Sequence, residues 1–174
     1  EMITVGRNSP RKHLESLLNL AEVIRSTHPT LPFRLRIIGE AYLDSDRAYV
    51  EQLKSQIVQR DLQEVVTLEG AKLGDDLLAD YQRAAVFVTA SATGSLDKVV
   101  LESLSCGTPV LAASSVFSGF KGVHVAEHSW DDEAVAFVAS RLARPITDSE
   151  ARADVIAKAS LKTLISRLVS ILLD

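Results

Sequence analysis

The chain has 174 residues, 47% of them hydrophobic, enough for one substantial core, since a domain of roughly 150 residues hides about two-thirds of its unfolded surface. A formal net charge of −4, with both signs interspersed, offers no long-range field for a polyanion and argues against a nucleic-acid partner. The single cysteine, Cys106, excludes an internal disulfide and a cysteine-based metal cage and fits a reducing compartment, and no apolar run approaches the roughly 20 residues of a membrane span.

The chain enters an apolar run, MITV, directly after Glu1, which reads as the first strand of a fragment whose upstream partner lies elsewhere. Strands are expected at 2–5, 33–38, 65–68, 86–89 and 110–112, with a short sixth at 123–125. Between the first two, Leu14, Leu17, Leu18, Ala21, Ile24 and Arg25 recur at helical spacing. A second helix runs over 46–60 through Tyr49, Val50, Leu53 and Ile57, and a third, over 73–83, ends where the fourth strand begins. A short helix carrying Asp97, Lys98 and Glu102 follows the fourth strand, and the small, polar stretch 112–122 reads as a mobile surface loop. Two helical segments close the chain, 132–143 and 149–173, broken at Pro145, with Thr147 or Asp148 as the cap of the second. In the last, Leu161, Leu164, Ile165, Leu168 and Leu172 form one stripe, while Val169, Ile171 and Leu173 lie off it. Strand and helix in alternation predict an α/β fold, a doubly wound Rossmann-like parallel sheet with helices on both faces.

Open α/β sheets bind ligands at the carboxyl ends of their strands, where helix N-termini offer unpaired amides. The first such turn reads VGRNSPRKH. Gly6 allows close backbone approach, and Arg7 and Lys12 flank a Ser-Pro helix start, a seat suited to a diphosphate. Arg7, Arg11 and Lys12 equally read as solvated charges on a surface turn. The dinucleotide and P-loop glycine signatures are both missing, which argues against an NAD-dependent dehydrogenase and a P-loop NTPase.

After the fourth strand, Thr93, Gly94 and Ser95 stand where they could present amides and hydroxyls to an anion, with Asp97 in the first helical turn to complement the dipole. Lys98 and Glu102, one turn apart, read either as an exposed pair contributing about 0.3–0.5 kcal/mol or as a site in which Glu102 takes two vicinal sugar hydroxyls. Cys106 reads as a small core residue at a helix end. His13, His28, His124 and His128 show no metal spacing, Glu40 reads as a helix-entry acid that could also line a cleft, and Trp130 as a packing anchor.

The ordered set VGRNSPRK, RLRIIGE, VVTLEGAKLGDDLLADYQRAAVFVTAS and LESLSCGTPVLAAS resembles the C-terminal, donor-binding half of a GT-B fold retaining glycosyltransferase, glycosyl transferases group 1 or family four, over about residues 3–113. The resemblance implies one nucleotide-sugar-binding domain over 1–174, with 145–174 as a C-terminal helical segment. It implies that Arg7 and Lys12 hold the donor diphosphate and assist its departure, that Glu102 binds the ribose, and that 70–72, with Gly70 and Ala71, read the base. Gly6 and Gly39 would border the ligand, while Ser95, Leu96 and Lys98 would contact phosphates or sugar. It implies no cofactor, a UDP- or GDP-sugar as donor substrate, and an N-terminal acceptor-binding domain as partner. A cytoplasmic setting, peripheral to the inner membrane face through the other domain, and self-association through the C-terminal helix also follow from it. One departure is clear: the family's E-x7-E places its first glutamate at position 94, where this chain has Gly94. That substitution keeps open a non-catalytic nucleotide-binding or regulatory module. A nucleotide-sugar epimerase half also tolerates LESLSCGTPV.

Overall fold

Strands and helices alternate from Met2 to Ala112 in the computed structural model, which describes residues 1–92, 94–126, 130–163 and 165. Its strands are β1 (Met2–Val5), β2 (Leu35–Ile38), β3 (Val66–Glu69), β4 (Val86–Thr89), β5 (Val110–Ala112) and β6 (Val123–Val125). Its helices are α1 (Leu14–Thr27), α2 (Asp44–Gln59), α3 (Gly74–Arg83), α4 (Lys98–Ser105), α5 (Asp132–Ala143) and α6 (Ser149–Ala159). Side chains alternate across a strand. Met2, Leu35, Val86 and Val88 therefore enter one apolar cluster beneath α1, α2 and α5, while Ile3, Phe87 and Val110 enter a second beneath α3, α4 and α6. Burial on both faces is why the central strands read as continuous apolar runs.

All pairings are parallel, in the order β3-β2-β1-β4-β5-β6, so the sheet is doubly wound as expected. The order reverses between β1 and β4, whose ladder contains only Met2↔Val86 and Ile3↔Phe87, against four pairs between β1 and β2. The carboxyl ends of β1 and β4 are consequently unzipped, and such a switch point is where sheets of this kind place a ligand.

Several sequence expectations shift. β2 begins at Leu35 rather than at residue 33, because β1 starts at Met2 and its register leaves 33–34 no ladder partner. β3 moves one residue on and includes Glu69. Ser9-Pro10 opens a separate 3-10 turn, Pro10–Lys12, which ends at His13 in the left-handed region (φ 47°), and α1 starts only at Leu14. The first N–H of α1 is bonded to the Tyr49 hydroxyl at 2.8 Å, so the expected helix-terminus contribution to a phosphate seat is not at Ser9-Pro10. The stretch 112–122 is anchored instead of loose: Phe117 is buried, and the Lys121 N–H and ammonium bond Asp154 and Glu150 on α6. Asp148 caps α6 through Ala151 N–H at 2.9 Å, but α6 stops at Ala159, where Ser160 turns to extended backbone. Of the expected C-terminal stripe, Leu161 and Ile165 are exposed, while Leu164, Leu168 and Leu172, like the off-stripe Val169, Ile171 and Leu173, lie outside the described residues. Among the described residues no helix is long and apolar enough to cross a membrane.

Candidate functional site

The turn leaving β1 is clamped against the end of β2. Gly6 N–H donates to the Ile38 carbonyl at 3.0 Å, Asn8 N–H to that of Glu40 at 2.9 Å, and the Asn8 amide to that of Gly39 at 3.0 Å. Gly39 backs directly onto Gly6: a Cβ there would stand 1.7 Å from the Gly6 carbonyl oxygen. Asn8 was not singled out by sequence reading. The signal was present in its type, since asparagine bonds turn backbone, but its partner lies 31 residues away.

Beside this clamp a hollow of about 240 Å³ opens at the carboxyl ends of β1 and β2, walled by the loops after β2 and β3 and by α4. It gathers Gly6, Arg7, Gly39, Ala71, Lys98 and Glu102 from four separate stretches of chain. Lys12 joins through Gly6, its Cε lying 3.6 Å from where a Gly6 Cβ would be. Gly70 sits just outside the wall, with Glu40 Oε1 3.9 Å from its own absent Cβ. Glu40, read mainly as a helix-entry acid, is in fact on the rim, four residues before α2. Gly94, Ser95 and Leu96 are exposed and precede α4, which starts at Lys98, so they do not furnish its first-turn amides; Thr93 lies outside the described residues.

Both expected diphosphate cations already hold carboxylates. Arg7 Nε bonds Asp46 Oδ2 at 2.7 Å and Lys12 Nζ bonds Asp97 Oδ2 at 2.9 Å. Asp97 takes the N-cap position of α4 without capping it, because its carboxylate is turned to Lys12. The Arg7 hydrogen bond, aided by the Leu43 and Tyr42 amides and opposed by burial, holds the Asp46 carboxyl below its ordinary range. Across the hollow, Glu102 pairs with Lys98 at 3.0 Å, as the ion-pair reading expects, and accepts from the Tyr81 hydroxyl at 3.0 Å.

The loop after β3 is pinned from below. Arg36 makes a two-pronged contact to Glu69 (2.6 and 2.8 Å) and a third to Asp80 (2.9 Å); Lys72, in the hollow's wall, bonds the same two acids at 2.8 and 2.9 Å. Asp80 is fully buried and also takes Arg83 at 2.8 Å. Hydrogen bonding from Arg36 pulls the Glu69 carboxyl from an ordinary 4.5 to about 2. Burial pushes Asp80 up, but the bonds from Arg36, Lys72 and Arg83 outweigh it and leave it below its ordinary value. Both groups are more acidic folded than unfolded, so the unfolded chain binds more protons at low pH. Their stabilisation is complete above about pH 5 and disappears as pH falls from about 4 toward 2. Asp80→Asn is expected to lower stability at pH 7 by about 3 kcal/mol and to flatten this acid slope, read from urea midpoints at pH 7, 4 and 3; equal slopes in both proteins would refute the linkage.

A second hollow of about 210 Å³ lies on the α1 side of the sheet, between His13, Glu15 and Trp130, whose indole N–H donates to the Ser16 carbonyl at 2.6 Å. Trp130 thus packs as expected. Cys106, at the C-cap of α4, is half-buried, and burial pushes its thiol up. His128 lies outside the described residues, among which no group of three His, Cys, Asp or Glu could hold a metal ion.

The sequence profile described as glycosyl transferases group 1 matches residues 1–161. The D-inositol 3-phosphate glycosyltransferase of Pseudarthrobacter chlorophenolicus is 30% identical over 144 residues, covering 79% of this chain and 33% of that protein. The crystal structure of Anabaena Alr3699/HepE in complex with UDP superposes with a TM-score of 0.81 at 18% identity, over 98% of this chain and 48% of that one. Sucrose-phosphate synthase (tll1590) from Thermosynechococcus elongatus superposes at 0.77 with 23% identity, over 98% and 44%. The chain spans about a third of the length of the curated relatives it matches.

Proposed function

The chain belongs to the glycosyl transferases group 1 family, and we propose that it is the C-terminal, donor-binding domain of a retaining GT-B glycosyltransferase that moves a hexose from a nucleoside-diphosphate sugar to an acceptor. The observation that carries this reading is the hollow at the carboxyl ends of β1 and β2, which a side-chain-free Gly6, Arg7 and Glu102 line together. Backbone at Gly6 accepts a diphosphate closely, Arg7 and Lys12 supply its counter-charge, and Glu102 takes the diol of the pentose. The loop at 70–72, held by Lys72 and the Arg36 network, would border the base.

In the reaction, negative charge builds on the departing diphosphate. Arg7 and Lys12 stabilise that charge, while the acceptor is oriented by a second domain contributed by the rest of a longer protein. Asp46 and Asp97 must yield their cations to the phosphate, which lowers net affinity but keeps both side chains aimed at the seat before ligand arrives. Calorimetric titration with UDP, GDP and their sugars is expected to give binding of one nucleotide and its sugar, with no turnover of the sugar by the 174-residue chain alone; absence of binding to both nucleotides would defeat the reading. Gly94, in place of the motif's first glutamate, favours a second reading, a nucleotide-binding regulatory module. Sugar transfer by the longer protein separates the two.

A further inference from the structure

Glu102 lies on α4, and nothing within that helix selects where its carboxylate points. Two neighbours do. Lys98, 87% exposed, reaches Oε1 from the solvent side, a screened contact that a ligand displaces readily. Tyr81 donates to Oε2 at 3.0 Å from an adjoining hollow, which it lines with Leu101, Cys106 and Ala159 and which shares Lys98 and Glu102 with that of Gly6 and Arg7. Its ring is buried and tilted against Phe87 with centroids 6.1 Å apart, and its carbonyl accepts the Thr108 hydroxyl at 2.6 Å. The phenol is therefore held at ring and backbone alike, and its O–H projects from a rigid origin. Burial, then the nearby Glu102 charge, pushes its titration above the ordinary 10, so it stays a donor through neutral pH.

A carboxylate with one oxygen anchored from beneath keeps its other oxygen, and its remaining lone pairs, for two vicinal hydroxyls. Without that anchor the group follows Lys98 into solvent. Resting on the assignment of Glu102 to the pentose, we infer that Tyr81 is the positioning residue that fixes Glu102 on the edge shared by the two hollows, and so sets a preference for ribose over 2′-deoxyribose.

Titration of the chain and of Tyr81→Phe with UDP and with 2′-deoxy-UDP tests this, with urea midpoints as the check on folding. The unsubstituted chain is expected to favour UDP by about tenfold or more, and Tyr81→Phe to lose about five- to tenfold for UDP with 2′-deoxy-UDP unchanged. Glu102→Gln removes the same preference, and adding Tyr81→Phe to it changes nothing further. Should Tyr81→Phe fail to fold, Thr108→Val, which frees the Tyr81 carbonyl and leaves Glu102 unaltered, is expected to reduce the same preference, and an unchanged preference overturns the role of Tyr81. A selective parent chain with an equally selective Tyr81→Phe overturns the role of Tyr81 alone. A parent chain that binds both nucleotides equally overturns the pentose assignment with it; one that binds neither is titrated with GDP and 2′-deoxy-GDP on the same expectations, and no binding of any of the four overturns the donor-domain reading.

Discussion

Gly39→Ala is expected to lower the melting temperature by about 10 °C and to abolish nucleotide binding, although residue 39 carries no reactive group. The added methyl would stand 1.7 Å from the Gly6 carbonyl oxygen and 2.8 Å from its carbon, atoms of the main chain that no rotamer change can move aside. Either the β1 turn or the end of β2 must shift, breaking the bonds from Gly6 N–H to Ile38 and from Asn8 to Gly39 and Glu40. Such overpacking costs about 3 kcal/mol, the upper end of the usual range, against the roughly 5–15 kcal/mol that holds a domain together. For a chain of this size each kcal/mol is about 2–4 °C. Gly119→Ala is the control: nothing lies within 4 Å of its absent Cβ, and its melt should be unchanged. A Gly39→Ala protein melting with the parent would mean that the clamp of β1 on β2 does not hold the Gly6 turn.

The double substitution Arg7→Ala, Lys12→Ala is expected to weaken UDP binding about 100-fold while leaving the affinity for uridine, which has no phosphate, within about twofold. Charge-assisted hydrogen bonds are worth about 1.5–3 kcal/mol. Here the lower end applies, because each cation must first release a carboxylate: Asp46 from Arg7 and Asp97 from Lys12. At about 1.4 kcal/mol each, the pair accounts for two factors of ten. The contrast between UDP and uridine removes general effects on folding. Equal losses for both ligands would mean that the substitutions distort the hollow instead of removing the counter-charge. No loss for either would displace the diphosphate from this turn altogether.

Much of the architecture was legible along the chain, because strands buried on both faces are marked by uninterrupted Val, Ile, Leu and Phe, and turns by Gly and Pro. The bounds of β1, β4, β5, β6 and α5 follow from such local patterns. Those of β2 and β3 differ because a strand's limits depend on how far its neighbour extends. The 3-10 turn before α1 was missed because Ser-Pro is an equally good start for either kind of helix.

Local pattern alone settled the alternation that makes a doubly wound sheet, the two glycines at the strand ends, and the charged residues nearest to them. Tertiary packing decided how those charges are held. Arg7 meets Asp46 39 residues on, Lys12 meets Asp97 85 residues on, and Glu102 accepts a hydrogen bond from a tyrosine 21 residues before it. The physical reason is one of range: propensity and burial act on neighbours in sequence, whereas an ion pair or a buried hydrogen bond forms only after the sheet has brought distant turns to one edge.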